Sequence, residues 1–283
     1  MHFVYNIQCE ESVKAFLQRH SYSKSTISAI KNNGALLVNE RQVTVRAMMR
    51  IGDQLKVQLP KEHPSENIAP FDAPLNILFE DDFLIIVTKP AHQNVAPSKE
   101  HLHESLLEQV YAHTWRNNES IPHIVTRLDR NTSGIVIFTK HGFIHHLMSQ
   151  LTIDKRYLCI CHGNVQDSDI IEAPIARHPA SIIQRHVSPK GKYACTTYTS
   201  LKQKNGYSLC EVKIMTGRTH QIRVHFQHIG HSLVGDDLYG SMRKDIPRQL
   251  LQCYQVAFTH PITNEQLNIF DNDKSMMTIF DML

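Results

Sequence analysis

The 283-residue sequence contains no CxxC pair; its cysteines, Cys9, Cys159, Cys161, Cys195, Cys210 and Cys253, are scattered. That spacing argues against a zinc site and against a disulfide framework, so the thiols are read as reduced. Long apolar runs are equally scarce. The longest, such as Phe83 to Val87 and Ile135 to Phe138, fall far short of a membrane span, and no membrane-crossing segment is expected. Met1 to Ile7 lack the basic start and apolar stretch of a secretory signal, so cytoplasmic residence is expected. No glycine-rich nucleotide-binding pattern, internal repeat or low-complexity tract is present. The acidic pair Asp236-Asp237 is too small a set for a metal-assisted hydrolase.

What the chain does have is enough apolar residue, 41%, to bury a full core as one large domain or a large and a small one. The formal charge is only +3, but residues 1–60 hold eight Lys or Arg against four Asp or Glu, a local +4 that leaves −1 for the remainder. Such asymmetry favours a polyanionic partner. Helical spacing predicts two short helices over Ser12 to His20 and Lys24 to Asn32, the second capped by Ser23 and followed by Gly34. A tight hairpin is expected from Ala35 through Asn39-Glu40-Arg41 to Val43, and a strand over Gln54 to Leu59. A unit of this size is too small for a large core and would lean on a neighbour or a ligand.

Pro60, Pro64, Pro70 and Pro74 interrupt a polar stretch, so residues 61–74 are read as a linker and 75–283 as a second domain. Strands are expected there at Ile77 to Phe79, Phe83 to Thr88, Gly134 to Thr139, Arg156 to Cys161, Tyr193 to Ser200, Ser208 to Met215, Gln255 to Thr259 and Gln266 to Ile269. Helices are expected at His103 to Thr114, Phe143 to Leu151 and Thr219 to Ile229. Strands outnumber helices without regular alternation, which predicts an α+β fold with a mixed, largely antiparallel sheet.

Three segments carry candidate chemistry. In RLDRNTSG (Arg127 to Gly134), Asp129 lies between Arg127 and Arg130 in a polar loop that runs straight into an apolar strand. Two flanking guanidinium groups would favour the charged carboxylate. Taken alone, the segment also describes a polar turn. In KRYLCICHG (Lys155 to Gly163), Tyr157 opens an apolar strand. In MTGRTHQIRVHFQHIGHSLVGDDLYG (Met215 to Gly240), Gly217 frees a turn, Thr219 is positioned to cap, and Ile222, Phe226 and Ile229 define a helix with one buried face beside Arg223. His220, His225, His228 and His231 are spread around different faces, and no metal site is expected from them.

Together these segments resemble the RluA-type pseudouridine synthases, whose catalytic loop reads HRLD, two variable residues, TSG. They share the K-x-Y segment and the TGRTHQIRVH stretch followed by GDxLYG. The resemblance covers about residues 75–270 and includes LNILFEDDFLIIVTKPA and AFTHPITNEQLNIF. It implies that Asp129 is the catalytic carboxylate, acting as nucleophile or base, paired with Arg223. It further implies that Tyr157 contacts the target base and assists proton removal, that Arg127 fills the gap left by a flipped base, and that Arg218 supports the loop or the RNA backbone. Two positions depart from the pattern: Thr126 replaces the family's first histidine and His92 the glycine after Lys-Pro-Ala.

The two helices, hairpin and strand of residues 1–60 resemble the RNA-binding domain first named for ribosomal protein S-four, with Lys14, Arg19, Lys24, Lys31 and Arg41 as candidate phosphate contacts. The implied activity is isomerisation of uridine in structured RNA without a cofactor. Ribosomal RNA is the first expected substrate and transfer RNA the second, with no obligatory protein partner and a monomeric state. The rival readings are a non-catalytic RNA-binding protein and a metal-assisted RNA hydrolase.

Overall fold

The computed structural model describes residues 1–65, 67–98, 100–240 and 243–283; Glu66, within the expected linker, lies outside them. In chain order the first elements are β1 (His2–Asn6), β2 (Glu11–Ser12), α1 (Val13–Arg19), α2 (Lys24–Asn33), β3 (Ala35–Val38), β4 (Arg41–Gln42), β5 (Met48–Met49) and β6 (Gln54–Gln58). Ser12 Oγ accepts from Ala15 N (3.2 Å) and Ser23 Oγ from Thr26 N (3.0 Å), satisfying amides that the first turns leave unpaired. A four-stranded antiparallel sheet in the order β1-β6-β3-β4 backs these helices. Its outer strand β1 was not expected from the sequence.

This region shares its core with the rest of the chain. Phe3 stacks on Phe83 with ring centroids 6.0 Å apart, and Tyr22 stacks on Phe143 at 4.3 Å. The proline-rich segment is fastened as well: the Glu62 carboxylate accepts from Gly142 N (3.0 Å) and meets His123 Nε2 at 3.0 Å. The small N-terminal unit does lean on its neighbour, through aromatic contacts.

The remaining elements are β7 (Asn76–Glu80), β8 (Leu84–Lys89), α3 (Leu106–Asn118), β9 (His123–Ile124), β10 (Ser133–Thr139), α4 (Gly142–Met148), β11 (Asp154–His162), β12 (Ser168–Glu172), β13 (Ile175–Arg177), β14 (Arg185–Val187), β15 (Cys195–Lys204), β16 (Tyr207–Ile214), α5 (Gln221–His228), β17 (Leu251–Thr259), β18 (Gln266–Phe270) and α6 (Ser275–Met282). Helix α3 starts at Leu106 rather than His103, because Ser105 and Glu108 form a reciprocal capping box after Glu104, whose φ is 65°. The hairpin β13–β14, strand β12 and helix α6 were not expected.

One large sheet runs β12-β15-β16-β11-β17-β10-β8-β7, with β18 beside β17 and β9 beside β10. Every pairing is antiparallel except β10 with β17, which run parallel only at Ser133–Gln252 and Gly134–Cys253. The mixed, largely antiparallel α+β architecture is therefore as expected. The short parallel junction is where distant segments meet. Gly134 pairs with Cys253, and Cys253 pairs across its other edge with Tyr157, so three strands hold one row. A register shift between Arg156 and Tyr157 marks a bulge on this row, a device that re-aims a side chain.

Gly134 is required at this junction on two counts. Its φ is +114°, and a Cβ there would lie 2.1 Å from the Cys253 carbonyl oxygen. Gly134→Ala is expected to destabilise the fold by about 3 kcal/mol, the sum of strain and overpacking. Urea denaturation measures this; a midpoint equal to wild type would show that the junction does not demand glycine.

Candidate active site

The loop from β9 to β10 delivers Asp129, and its shape is held from both ends. At its start the buried Thr126 Oγ1 accepts from Ile137 N (3.0 Å), tying the loop to β10; this is how threonine serves where the RluA-type pattern has histidine. At its end Thr132 N donates to Asp129 O (3.0 Å). Below the loop, fully buried Lys89 donates to the carbonyls of Pro90 (2.8 Å), Gln93 (2.9 Å) and Arg130 (3.0 Å). Burial pulls its ammonium down to about 7, with Asp129 opposing. His92, the other departure, has a φ of 66°, a conformation glycine tolerates best, and its Nδ1 lies 3.1 Å from Asn131 Oδ1.

Helix α5 delivers the charge partner. Arg223 Nη1 donates to Asp129 Oδ2 at 3.1 Å, while its Nε and Nη2 form a two-pronged bridge to Asp236 Oδ2 and Oδ1, both at 2.8 Å. The side chains of Arg223 and Asp236 are 6% and 0% exposed, and that of Asp129 is 29% exposed. Burial opposes the charge on Arg223, but Asp236 and Asp129 outweigh it and hold the guanidinium protonated. Asp236 Oδ1 also accepts from Leu238 N and Tyr239 N, both at 3.2 Å, and the Arg223 guanidinium lies 5.0 Å from the centre of the Tyr239 ring.

Arg127 and Arg130 were expected to support the carboxylate, but both are exposed. Among the described residues, the ion-pair partners of Asp129 are Arg223 and, at 3.7 Å, His220 Nε2. The physical reason is burial: a guanidinium with little competing water interacts more strongly than two solvated neighbours.

The start of α5 differs from expectation too. Thr219 does not cap it; His220 occupies that position with a φ of 58° and no side-chain cap bond. Gln221 does the fastening instead. Its Oε1 accepts from Thr216 Oγ1 (2.8 Å) and Arg218 N (3.0 Å), and its Nε2 donates to Cys195 O and Thr196 Oγ1, both at 2.9 Å. His225 lies 2.9 Å from both Thr196 Oγ1 and Ala173 O, so two polar side chains lock the helix to the sheet. The helix is consequently buried on several faces rather than one.

His220 Nδ1 lies 2.8 Å from Tyr239 Oη, which accepts from Arg185 N at 2.9 Å. When the phenol donates to Nδ1, the ring proton rests on Nε2, facing Asp129. Burial pushes the imidazole down and favours this neutral form, against the opposing pull of Asp129. Tyr157, buried beside Cys253, has its phenol pushed well up by burial first and the thiol second.

These groups surround one cavity of about 400 Å³ whose walls include Arg127, Asp129, Lys155, Tyr157, Arg218 and Arg223. All five residues singled out in the second domain thus converge. The N-terminal basic residues do not line it; they are exposed on α1, α2 and β4, with Arg19 engaged by Glu11. Lys89, His220, Asp236 and Tyr239 were missed as site residues. Three of them lie inside the quoted TGRTHQIRVH and GDDLYG stretches, which was the available signal. Among the described residues no group of three or more His, Cys, Asp or Glu could hold a metal ion, and no helix is long and apolar enough to cross a membrane.

Residues 83–228 match the family profile described as RNA pseudouridylate synthase. The uncharacterized RNA pseudouridine synthase YjbO of Bacillus subtilis is 37% identical over 263 residues, spanning 90% of this chain and 93% of that protein. The chain belongs to the RNA pseudouridylate synthase family. The synthase is therefore an isomerase acting on RNA. It is also 31% identical to ribosomal large subunit pseudouridine synthase D of Nitrosomonas europaea, over 87% of this chain and 76% of the relative. Human RNA Pseudouridylate Synthase Domain Containing 1 shares the fold, with a TM-score of 0.59 at 21% identity over 75% of this chain and 87% of that one.

Proposed function

We propose that this synthase isomerises uridine in ribosomal RNA with Asp129 as its catalytic carboxylate. The observation that carries the assignment is the contact of the partly exposed Asp129 carboxylate with a buried, doubly anchored Arg223 at the wall of the cavity. The reaction breaks the bond from ribose C1′ to uracil N1, turns the base and joins C1′ to C5; the C5 hydrogen leaves as a proton and the freed N1 takes one up. Atoms balance without an added group, so no cofactor is invoked. A uridine must first leave the stack, at a cost of a few kcal/mol.

In this reading Tyr157 packs against the extruded base. In the same reading it also assists removal of the C5 proton; burial pushes its phenol well up. Arg127, exposed at the cavity rim, fills the vacated stack, and Arg218 meets the backbone. Whether Asp129 attacks the ribose or removes a proton from it is the choice between nucleophile and base. The preference for ribosomal RNA is supported by relatives named as ribosomal large subunit synthases. The site of action is taken to be the cytoplasm.

Ribosomal RNA carrying tritium at uridine C5 is the test substrate. Wild type should release tritium, and Asp129→Asn should release none while still binding the RNA. Equal release by both would remove Asp129 from the chemistry.

We also propose that residues 1–60 act as an S-four-like RNA-binding domain. The exposed Lys14, Lys24, Lys31 and Arg41 support this. Replacing these four with Gln should lower the slope of log affinity against log salt by about 3 in magnitude, with turnover at saturating RNA unchanged. An unaltered slope would take the role away from this surface.

A further inference from the structure

The two oxygens of the Asp129 carboxylate are held unequally. Arg223 Nη1 donates to Oδ2 at 3.1 Å, and His220 Nε2 stands 3.7 Å from the same Oδ2. Among the described residues no hydrogen bond reaches Oδ1. The local chemistry of the helix does not call for an imidazole at this place. His220 precedes α5 with φ 58° and ψ 21°, a left-handed conformation uncommon outside glycine, and its side chain makes no cap bond. The ring is instead enclosed, its side chain 11% exposed, and stands edge to face with Tyr239 at a centroid distance of 5.7 Å.

Tyr239 decides which ring nitrogen carries the hydrogen. Its Oη lies 2.8 Å from His220 Nδ1 and accepts from Arg185 N at 2.9 Å. The tyrosine is buried, and among the described residues these two are the hydrogen-bond partners of Oη. The Arg185 amide can only donate, so the phenol hydrogen has one acceptor in reach, Nδ1. Burial pushes the phenol up and so keeps that hydrogen in place. Burial also pushes the imidazole down; Asp129 and Asp236 oppose this, and Arg223 and Arg185 add to it. A neutral ring that accepts at Nδ1 carries its one hydrogen on Nε2, the nitrogen that faces Asp129.

A separation of 3.7 Å is too long for a hydrogen bond. It is the spacing of a donor set beside its acceptor and not yet engaged, and such contacts shorten when a substrate fills the site. Expelling water from the cavity strengthens the attraction of a donor for a carboxylate. We propose that His220, fixed in its Nε2–H tautomer by Tyr239, is a positioning residue that closes on Asp129 Oδ2 when a uridine occupies the cavity, leaving Oδ1 as the oxygen that acts on the ribose. This rests on the reading of Asp129 as the catalytic carboxylate. Arg223 and His220 then grip one oxygen together, and the carboxylate cannot rotate to exchange Oδ1 for Oδ2. The role is the same whether Oδ1 attacks the ribose or takes a proton from it.

Two substitutions separate the donor of the ring from the backbone that carries it. The amide nitrogen of glutamine reaches about as far as Nε2, and that of asparagine only as far as Nδ1. His220→Asn is expected to lower the single-turnover rate of tritium release about tenfold, the weight of one hydrogen bond to a charged group, with RNA affinity in filter binding unchanged. His220→Gln is expected to recover most of the wild-type rate. A role confined to the left-handed turn predicts the reverse order, because asparagine tolerates that backbone better than glutamine. That order, or equal rates in all three proteins, overturns the proposal. Imidazole ¹⁵N NMR locates the hydrogen without turnover, the His220 signal being the one missing from His220→Gln. Wild type should carry it on Nε2, and Tyr239→Phe should spread it over both nitrogens; a hydrogen on Nδ1 in wild type overturns the proposal. If the wild-type enzyme releases no tritium, the catalytic reading of Asp129 falls and takes the role of Oδ1 with it. If tritium is released but the order of variants or the tautomer is wrong, the His220 proposal alone falls.

Discussion

The two-pronged bridge between Arg223 and Asp236 is the constraint on which the site depends. A guanidinium buried on α5 needs a compensating charge, and Asp236, itself enclosed and held by the amides of Leu238 and Tyr239, supplies it. With two donor positions fixed by that fork, Nη1 is left in one orientation, and Asp129 Oδ2 meets it. The aspartate's position is thus determined from behind. Removing either partner of the buried pair would leave a charge stranded, which explains why the arrangement is all or nothing.

The sheet carries this geometry to the other wall of the cavity. The short parallel junction at Ser133 and Gly134 sets the end of the Asp129 loop against β17, and the row through Cys253 reaches Tyr157 on β11. Lys89 ties the same loop from beneath through the Arg130 carbonyl. The carboxylate and the tyrosine therefore face one cavity because of backbone register, not because their own side chains contact each other. The further polar locks, Gln221 and His225 on Thr196, keep α5 from sliding along the sheet and so preserve the distance between Arg223 and the loop.

Much of this was legible in the sequence. Periodicity found α2 and α4 and the main strands of the sheet, and Ser23 marked its helix because a hydroxyl before a run of free amides has a local role. The three motifs named Asp129, Tyr157 and Arg223 correctly as neighbours of one cavity. Local charge, however, pointed to Arg127 and Arg130 as partners of Asp129, whereas the partner lies 94 residues further on. Proximity along the chain cannot report which cation is buried. Tyr239 and Lys89 were missed for the same reason, since each acts through contacts made only after folding. The hairpin β13–β14 was hidden because its strands are only three residues long and its tip combines apolar and polar residues without alternation, so no periodic signal marked it.

Asp236, its side chain fully buried, positions Arg223 and through it Asp129. Asp236→Asn keeps the shape but gives up one prong of the fork. Single-turnover tritium release at saturating enzyme, measured on variant protein shown to be folded, tests this directly. The predicted result is a rate about 100-fold lower with RNA affinity unchanged, as expected when a reacting group shifts by about an ångström. A folded Asp236→Asn enzyme that releases tritium at the wild-type rate would contradict the account.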